Sequence, residues 1–186
     1  MITDTYTTLN AMLTANNITP ATAEYMICYT LRFLQFQSIC EILRADKAEY
    51  IRWLNLSRQM LHPTEFARRI TKELCHCQLD ENSYELMGQW LLAFYRKKDY
   101  RIKYPQKVRT DLLHQQECCC AICGCAITES ADLDHIIPWI YVGDELHNNL
   151  QLLCFHCNRS KKASPLYQLK MLLRTGEHWK QTPVSA

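Results

Sequence analysis

Two cysteine pairs constrain the fold of this chain more than any other feature. Cys120 and Cys123 form a C-x-x-C pair in "CAICG", and Cys154 and Cys157 form a second one in "LCFHCN". Two such pairs supply the four thiolates of a closed, tetrahedral zinc site. Zinc held by four sulfurs has no open position for water, so it stabilises structure and does no catalysis. The sequence therefore predicts structural Zn²⁺ joining two separated segments.

The remaining cysteines leave other ligand choices open. The chain has 11 cysteines, and its start lacks an export signal, which favours metal ligation and buried thiols over a disulfide framework. Cys118, Cys119 and Cys125 can compete for the metal. Gly124 provides the tight turn of a zinc knuckle directly after Cys123, and this favours the pair at 120 and 123.

Composition and length are those of a globular protein with one or two domains. The chain has 186 residues, of which 48% are hydrophobic and 22% charged. It contains no apolar run of membrane-spanning length, and "MITDTYTTLN" lacks the basic-then-apolar order of a signal peptide. We expect a cytoplasmic protein with no membrane partner.

Helical patterning dominates residues 1–95. Thr19 can cap a helix that begins at Pro20, and further helices are predicted at about 47–60, 64–76 and 81–97. A helical domain of this kind can recognise DNA, form a homodimer or dock a partner protein. The sequence does not choose among these roles.

Two special interpretations of the helical region stay open beside simpler ones. Arg68, Arg69 and Lys72 can belong to half of a helix-turn-helix, although an amphipathic helix with a basic solvent face is the commoner structure. Cys75 and Cys77 flank a histidine and can form a second metal site. That site is the less favoured interpretation, because no matching pair lies nearby in sequence.

Positive charge is concentrated on both sides of an acidic segment. Lys and Arg occupy positions 96, 97, 98, 101, 103, 107 and 109, and three more lie in "NRSKK". Between Cys118 and Cys157 there is no Lys or Arg, although several Asp and Glu are present. This distribution suits a phosphate backbone lying across a cation site, and it equally suits a solvated linker beside a helix end.

The order of the motifs closely resembles the HNH endonuclease family. "CAIC", "LDHIIPW" and "NNLQLLCFHCNRSKK" follow one another as in that family, over about residues 105–165. The resemblance implies a ββα-metal fold. In it, a hairpin carries Asp134 and His135 on its first strand, a loop ends near Asn149, and a short helix bears Asn158.

The resemblance also implies a role for each of these residues. His135 would be the general base, Asp134 and Asn158 the ligands of a catalytic cation, and Asn149 the residue that fixes the loop and orients the histidine. The chemistry is consistent, because neutral imidazole can accept a proton from water and oxygen ligands favour Mg²⁺ or Mn²⁺. Neighbours in a strand point to opposite faces, so we expect a twist or bulge that lets Asp134 and His135 reach one phosphate.

Together these features predict an α+β, mostly α, protein. We expect a helical domain at 1–95, a basic linker at 96–104, a ββα-metal HNH module with a structural zinc knuckle at 105–165, and a C-terminal helix and tail at 166–186. Some family members have a histidine where Asp134 or Lys162 stands, and its absence leaves a lysine for phosphate contact. The nucleic-acid-binding residues expected are Lys103, Lys107, Arg109, Arg159, Lys161 and Lys162.

The predicted function is a metal-dependent HNH endonuclease acting on nucleic acid, with double-stranded DNA as the expected substrate and restriction or phage defence as the expected setting. The alternative is a module that is held together by structural zinc and binds nucleic acid or protein without nuclease activity. Asp134, His135, Asn149 and Asn158 favour the enzyme, since a pure zinc knuckle needs none of them. DNA and RNA are not distinguished by the sequence.

Overall fold

The computed structural model describes residues 19–60, 62–164 and 167. Their helices and strands are α1 (Pro20–Ala45), α2 (Lys47–Gln59), α3 (Pro63–Leu74), α4 (Glu81–Arg96), α5 (Gln106–Gln115), β1 (Asp132–His135), α6 (Trp139–Val142), β2 (Leu150–Leu153) and α7 (Phe155–Lys161). The α+β, mainly helical class is confirmed. Of the C-terminal helix and tail predicted at 166–186, the described residues include only Tyr167, which is helical. None of the described helices combines the length and apolar character needed to cross a bilayer.

Capping residues explain where several helices begin. α1 begins at Pro20, as the sequence predicts. The carboxylate of Asp46 accepts hydrogen bonds from the first backbone amides of α2, at 2.8 and 3.1 Å. Asp80 does the same for α4, accepting from the amide of Ser83 at 2.9 Å. These side chains satisfy amide groups that have no partner within the helix.

The chain groups into two compact units. The first comprises the described parts of Met1–Thr30, Lys103–Ile136 and Leu150–Ala186, and the second comprises Leu31–Ile102 and Ile137–Asn149. Each unit is discontinuous in sequence, whereas the domains expected from composition are continuous ranges. Residues 137–149 group with helical residues of the N-terminal half.

An aromatic core holds the second unit together. The rings of Phe36 and Trp90 lie 5.6 Å apart, and those of Phe33 and Tyr141 lie 5.8 Å apart, both edge to face. All four residues are buried. Because Tyr141 belongs to α6, this packing anchors the segment between the two strands in a helical core.

The two arginines of α3 form ion pairs with acidic neighbours. Arg68 pairs with Glu81 at 2.7 Å, and Arg69 pairs with Glu73 at 3.2 Å. Such pairs on exposed positions are those of an ordinary amphipathic helix with a solvated face. They leave less positive charge for a phosphate backbone than the helix-turn-helix interpretation requires.

A two-stranded antiparallel sheet belongs to the first unit. β1 pairs with β2 in a regular register, with Asp134 opposite Gln151 and His135 opposite Leu150. Gln116 fixes β2 to the end of α5, because its side-chain amide donates to the carbonyl of Leu152 at 2.9 Å and its side-chain oxygen accepts from the amide of Leu152 at 2.7 Å. Strand, strand and α7 then follow in the order expected for a ββα module.

Gly88 allows α3 and α4 to approach closely. A Cβ atom at this position would lie 2.5 Å from the backbone oxygen of Pro63. We expect Gly88→Ala to lower the free energy of unfolding by about 1–3 kcal/mol through overpacking, although alanine is the better helix former by about 1 kcal/mol. Denaturant unfolding would measure this, with Gln89→Ala as an exposed control on the same helix. A Gly88→Ala protein at least as stable as the wild type would contradict the close approach.

Candidate functional site

The four predicted cysteines converge in the first unit. Their Sγ atoms all lie within 4.8 Å of one another. Gly124 has φ 68°, the left-handed conformation predicted for the turn, and its amide donates to the carbonyl of Cys120 at 2.9 Å. The second pair lies at the start of α7, where the amide of Cys157 donates to the Cys154 thiol at 3.4 Å. The sequence-predicted metal group is therefore assembled by the fold.

The environment of the thiols is suited to a cation. Burial raises the pKa of Cys120 and of Cys157 above the ordinary thiol value. For Cys123 burial acts in the same direction, but hydrogen bonds from the backbone and thiol of Cys125 and from neighbouring thiols outweigh it, and its pKa is lowered to about 7. All four cysteines are free of disulfides. Since buried thiolates of like charge repel one another, a bound metal ion would stabilise the cluster.

The three other cysteines that can compete for the metal do not belong to the group of four converging thiols. Cys118 and Cys125 are exposed, and Cys119 forms an isolated bridge with Ala126. Desolvation, followed by the thiol of Cys123, raises the pKa of Cys125 to about 12. Within the described residues, the "CHC" sequence at 75–77 does not belong to any group of three or more potential ligands.

One face of β1 meets one face of α7 through two contacts between side chains. Asp132 accepts a hydrogen bond from the side-chain amide of Asn158 at 3.1 Å. Asp134 pairs with the ammonium of Lys161 at 2.8 Å and also accepts from Gln151 at 2.9 Å. Residues two apart on a strand share a face, as do residues three apart on a helix, so both contacts lie along one surface. We call these four residues, Asp132, Asp134, Asn158 and Lys161, the polar face.

His135 is the last residue of β1 and is half-buried. Its backbone carbonyl accepts from Lys161 at 2.8 Å, and its ring lies 6.4 Å from the ring of Tyr104, measured between centroids. The register of β1 is regular through His135, and the bulge expected there is not found in its four residue pairs. The Asp134 carboxylate is held by Gln151 of β2 and by Lys161 of α7.

Asn149 belongs to the second unit and is only 5% exposed. Its side-chain oxygen accepts from the amide of Ile137 at 2.7 Å, and its side-chain nitrogen donates to the carbonyl of Ile137 at 3.0 Å. The side chain thus pairs with a backbone residue as a neighbouring strand would. It ties the end of the loop to its beginning, two residues after His135 in the chain.

The basic residues expected to bind nucleic acid differ in exposure. Those that are exposed are Lys103, Lys107, Arg159 and Lys162. Arg109 is half-buried, and its guanidinium donates to the carbonyl of Ala131 at 2.6 Å. Lys161 is only 1% exposed, which is at odds with the phosphate contact expected of it. Its charge is instead balanced by the carboxylate of Asp134.

Trp139 organises part of the basic stretch within the second unit. Its indole ring lies 4.5 Å from the ammonium of Lys97 and 4.9 Å from the guanidinium of Arg101. The indole N–H and the backbone amide of Ile102 both donate to Asp144, each at 3.0 Å. These contacts make Trp139 a packing residue of the second unit.

Sequence reasoning missed three members of this site. The sequence motifs assign no role to Asp132 or Gln151, and for Lys161 they predict contact with phosphate, whereas this lysine is buried. The spacing of Asp132 to Asp134 was a usable signal, since it places two carboxylates on the same strand face. A corresponding signal for Lys161 was its position three residues after Asn158 on one helix.

Comparison with known proteins finds matches to part of this chain. The family model of the HNH endonuclease matches residues 120–164. A CRISPR-associated endonuclease Cas9 from Actinomyces naeslundii is 40% identical over 73 residues, which cover 38% of this chain and 6% of that protein. No solved structure matches the chain. The resemblance to the HNH endonuclease family is therefore confirmed for residues 120–164, which carry the polar face, His135 and the four cysteines.

Proposed function

We propose that this protein is a metal-dependent endonuclease that hydrolyses phosphodiester bonds, with double-stranded DNA as the substrate. The observation that carries this proposal is the polar face, where β1 brings Asp132 against the side-chain amide of Asn158 and Asp134 against the ammonium of Lys161, both in α7. Nuclease activity in general has the support of the matched HNH family and of the Cas9 relative. The substrate, and a setting in restriction or phage defence, are proposals.

The donor set of the polar face fits a hard divalent cation. Asp134 supplies carboxylate oxygens and Asn158 an amide oxygen, which are the ligands that Mg²⁺ and Mn²⁺ prefer. Asp132 contacts Asn158 and holds its side chain toward the strand. We propose Asp134 and Asn158 as the ligands, as the family resemblance implies. A cation bound there would stabilise negative charge on the phosphate and on the leaving oxygen.

His135 is proposed as the general base. A neutral imidazole takes a proton from the attacking water, and this step needs a fixed ring position. Two contacts can fix it: the ring lies beside Tyr104, and the backbone carbonyl is held by Lys161. Asn149 is proposed to hold the chain that follows, through its paired hydrogen bonds to Ile137.

The four-cysteine cluster is proposed to hold structural Zn²⁺. Tetrahedral sulfur coordination satisfies zinc completely and leaves no catalytic position. The cluster joins the turn at Cys120 and Cys123 to the first turn of α7, and Asn158 follows Cys157 directly. We infer that the zinc supports catalysis only by holding α7 in place.

The proposed substrate grip uses exposed lysines and arginines of the first unit. Lys103 and Lys107 precede the sheet in the chain, and Arg159 and Lys162 lie in or directly after α7. Phosphate contacts by such residues carry affinity without sequence preference. We also propose a cytoplasmic location, because the described cysteines are free thiols.

Replacing the proposed base tests the enzyme against the binding module. His135→Ala should lower the cleavage rate by about 10² to 10⁴ because it removes general-base catalysis, while affinity for nucleic acid stays within a few fold. Plasmid, linear duplex and single-stranded RNA would be assayed with Mg²⁺.

His156→Ala provides a matched control, because His156 is exposed on α7. It should cleave at the wild-type rate. Cleavage by His135→Ala at that same rate would favour the module that binds without activity.

The zinc proposal predicts a difference between neighbouring cysteines. Cys154→Ser should lose bound metal and unfold the sheet and α7, because metal binding is coupled to folding in such sites. Cys125→Ser should keep the metal, since Cys125 is exposed and is not one of the four converging thiols. Metal content by elemental analysis and thermal unfolding would be measured together. A folded, metal-free and active Cys154→Ser protein would rule out the structural zinc.

Charge reversal tests the proposed grip on phosphate. Lys107→Glu should weaken binding to all sequences and reduce the slope of log affinity against log salt by about 1, because fewer counterions are released. Lys72→Glu makes the same charge change at an exposed position of α3 and should have a smaller effect. Binding titrations at several salt concentrations would compare the two variants. Equal effects would show that only net charge matters.

A further inference from the structure

Lys161 is a buried ammonium group inside the functional site. It is 1% exposed and ranks among the largest fully buried side chains of the described residues. A lysine is rarely buried without a charged partner, because removing its charge from water is costly. The partner here is Asp134, at 2.8 Å.

Both groups that Lys161 contacts belong to residues with proposed roles in the reaction. Its ammonium donates to the backbone carbonyl of His135 at 2.8 Å while it pairs with the carboxylate of Asp134. The same ammonium therefore links the proposed base to the proposed cation ligand. Gln151 also donates to that carboxylate at 2.9 Å, so the carboxylate is held from two sides.

A divalent cation at Asp134 would meet the field of this ammonium. Like charges a few ångströms apart in a half-buried site repel strongly, because little water screens them. The ion pair also keeps the carboxylate compensated when no other cation is bound. The fold thus contains its own counter-charge at the position where an added cation would bind.

We propose that Lys161 is a positioning residue that serves as an internal counter-ion for Asp134 and holds down the affinity of the site for divalent cations. The inference rests on the proposed function, in which Asp134 is a cation ligand. Lys161 keeps Asp134 and the His135 backbone in place before the cation arrives, and the cation then takes over the compensation of the carboxylate charge.

The test measures cation binding without nucleic acid, on the full chain loaded with zinc. Mn²⁺ is the probe, followed by electron paramagnetic resonance. Lys161→Met removes the charge and keeps most of the side-chain volume, so it should bind Mn²⁺ tighter by on the order of tenfold or more. Lys162→Met removes a neighbouring exposed lysine and should bind as the wild type does. Lys161→Arg keeps the charge and should also retain weak binding.

Thermal unfolding supplies a second measurement. Without added cation, Lys161→Met should melt below the wild type, because the Asp134 carboxylate loses its charged partner. Mn²⁺ should then raise the melting temperature more in Lys161→Met than in the wild type or in Lys162→Met, because ligand binding stabilises in proportion to its affinity.

The outcomes separate this inference from the proposed function. If Asp134→Asn abolishes Mn²⁺ binding but Lys161→Met binds like the wild type, the counter-ion role is overturned and Asp134 stays a cation ligand. If Asp134→Asn binds Mn²⁺ as well as the wild type, the ligand assignment fails, and the inference fails with it. If Lys161→Met stays unfolded at every Mn²⁺ concentration while Lys161→Arg folds, a bound cation cannot replace the ammonium, and the inference is also overturned.

Discussion

The convergence of four cysteine side chains is the constraint on which the first unit depends. α7 has 7 residues, fewer than a helix needs to be stable in isolation. Its first turn carries Cys154 and Cys157, whose thiols meet those of Cys120 and Cys123. A metal in this cluster would fix where α7 begins and how it is rotated about its axis. Every contact that α7 makes with β1 follows from that rotation.

Charge balance is the second organising feature. The segment between Cys118 and Cys157 contains carboxylates and no lysine or arginine. A lysine or arginine that pairs with Asp134 therefore has to come from elsewhere in the chain. Lys161 provides it from the end of α7, and Asn158 provides a neutral donor to Asp132 one turn earlier. The polar face therefore combines one charged and one neutral contact.

The loop between β1 and β2 belongs to the second unit and is held by other kinds of interaction. Tyr141 packs into an aromatic core, Asn149 pairs with the backbone of Ile137, and Trp139 is engaged by two cationic side chains. Apolar packing and backbone pairing hold this loop, in place of metal binding. Residues that look like a polar loop in the sequence are thereby held in defined positions.

The sequence by itself determined the features that arise from short-range chemistry. The C-x-x-C spacing defined the thiol ligands, the caps and prolines defined where helices begin, and the motif order predicted strand, strand and helix. Only the tertiary structure decided which polar groups contact each other. Lys161 lies 26 residues after His135, and no local pattern shows that its ammonium turns inward to that carbonyl and to Asp134. The reason is physical: a buried charge is stable only beside a partner, and the folded chain selects that partner from residues distant in sequence.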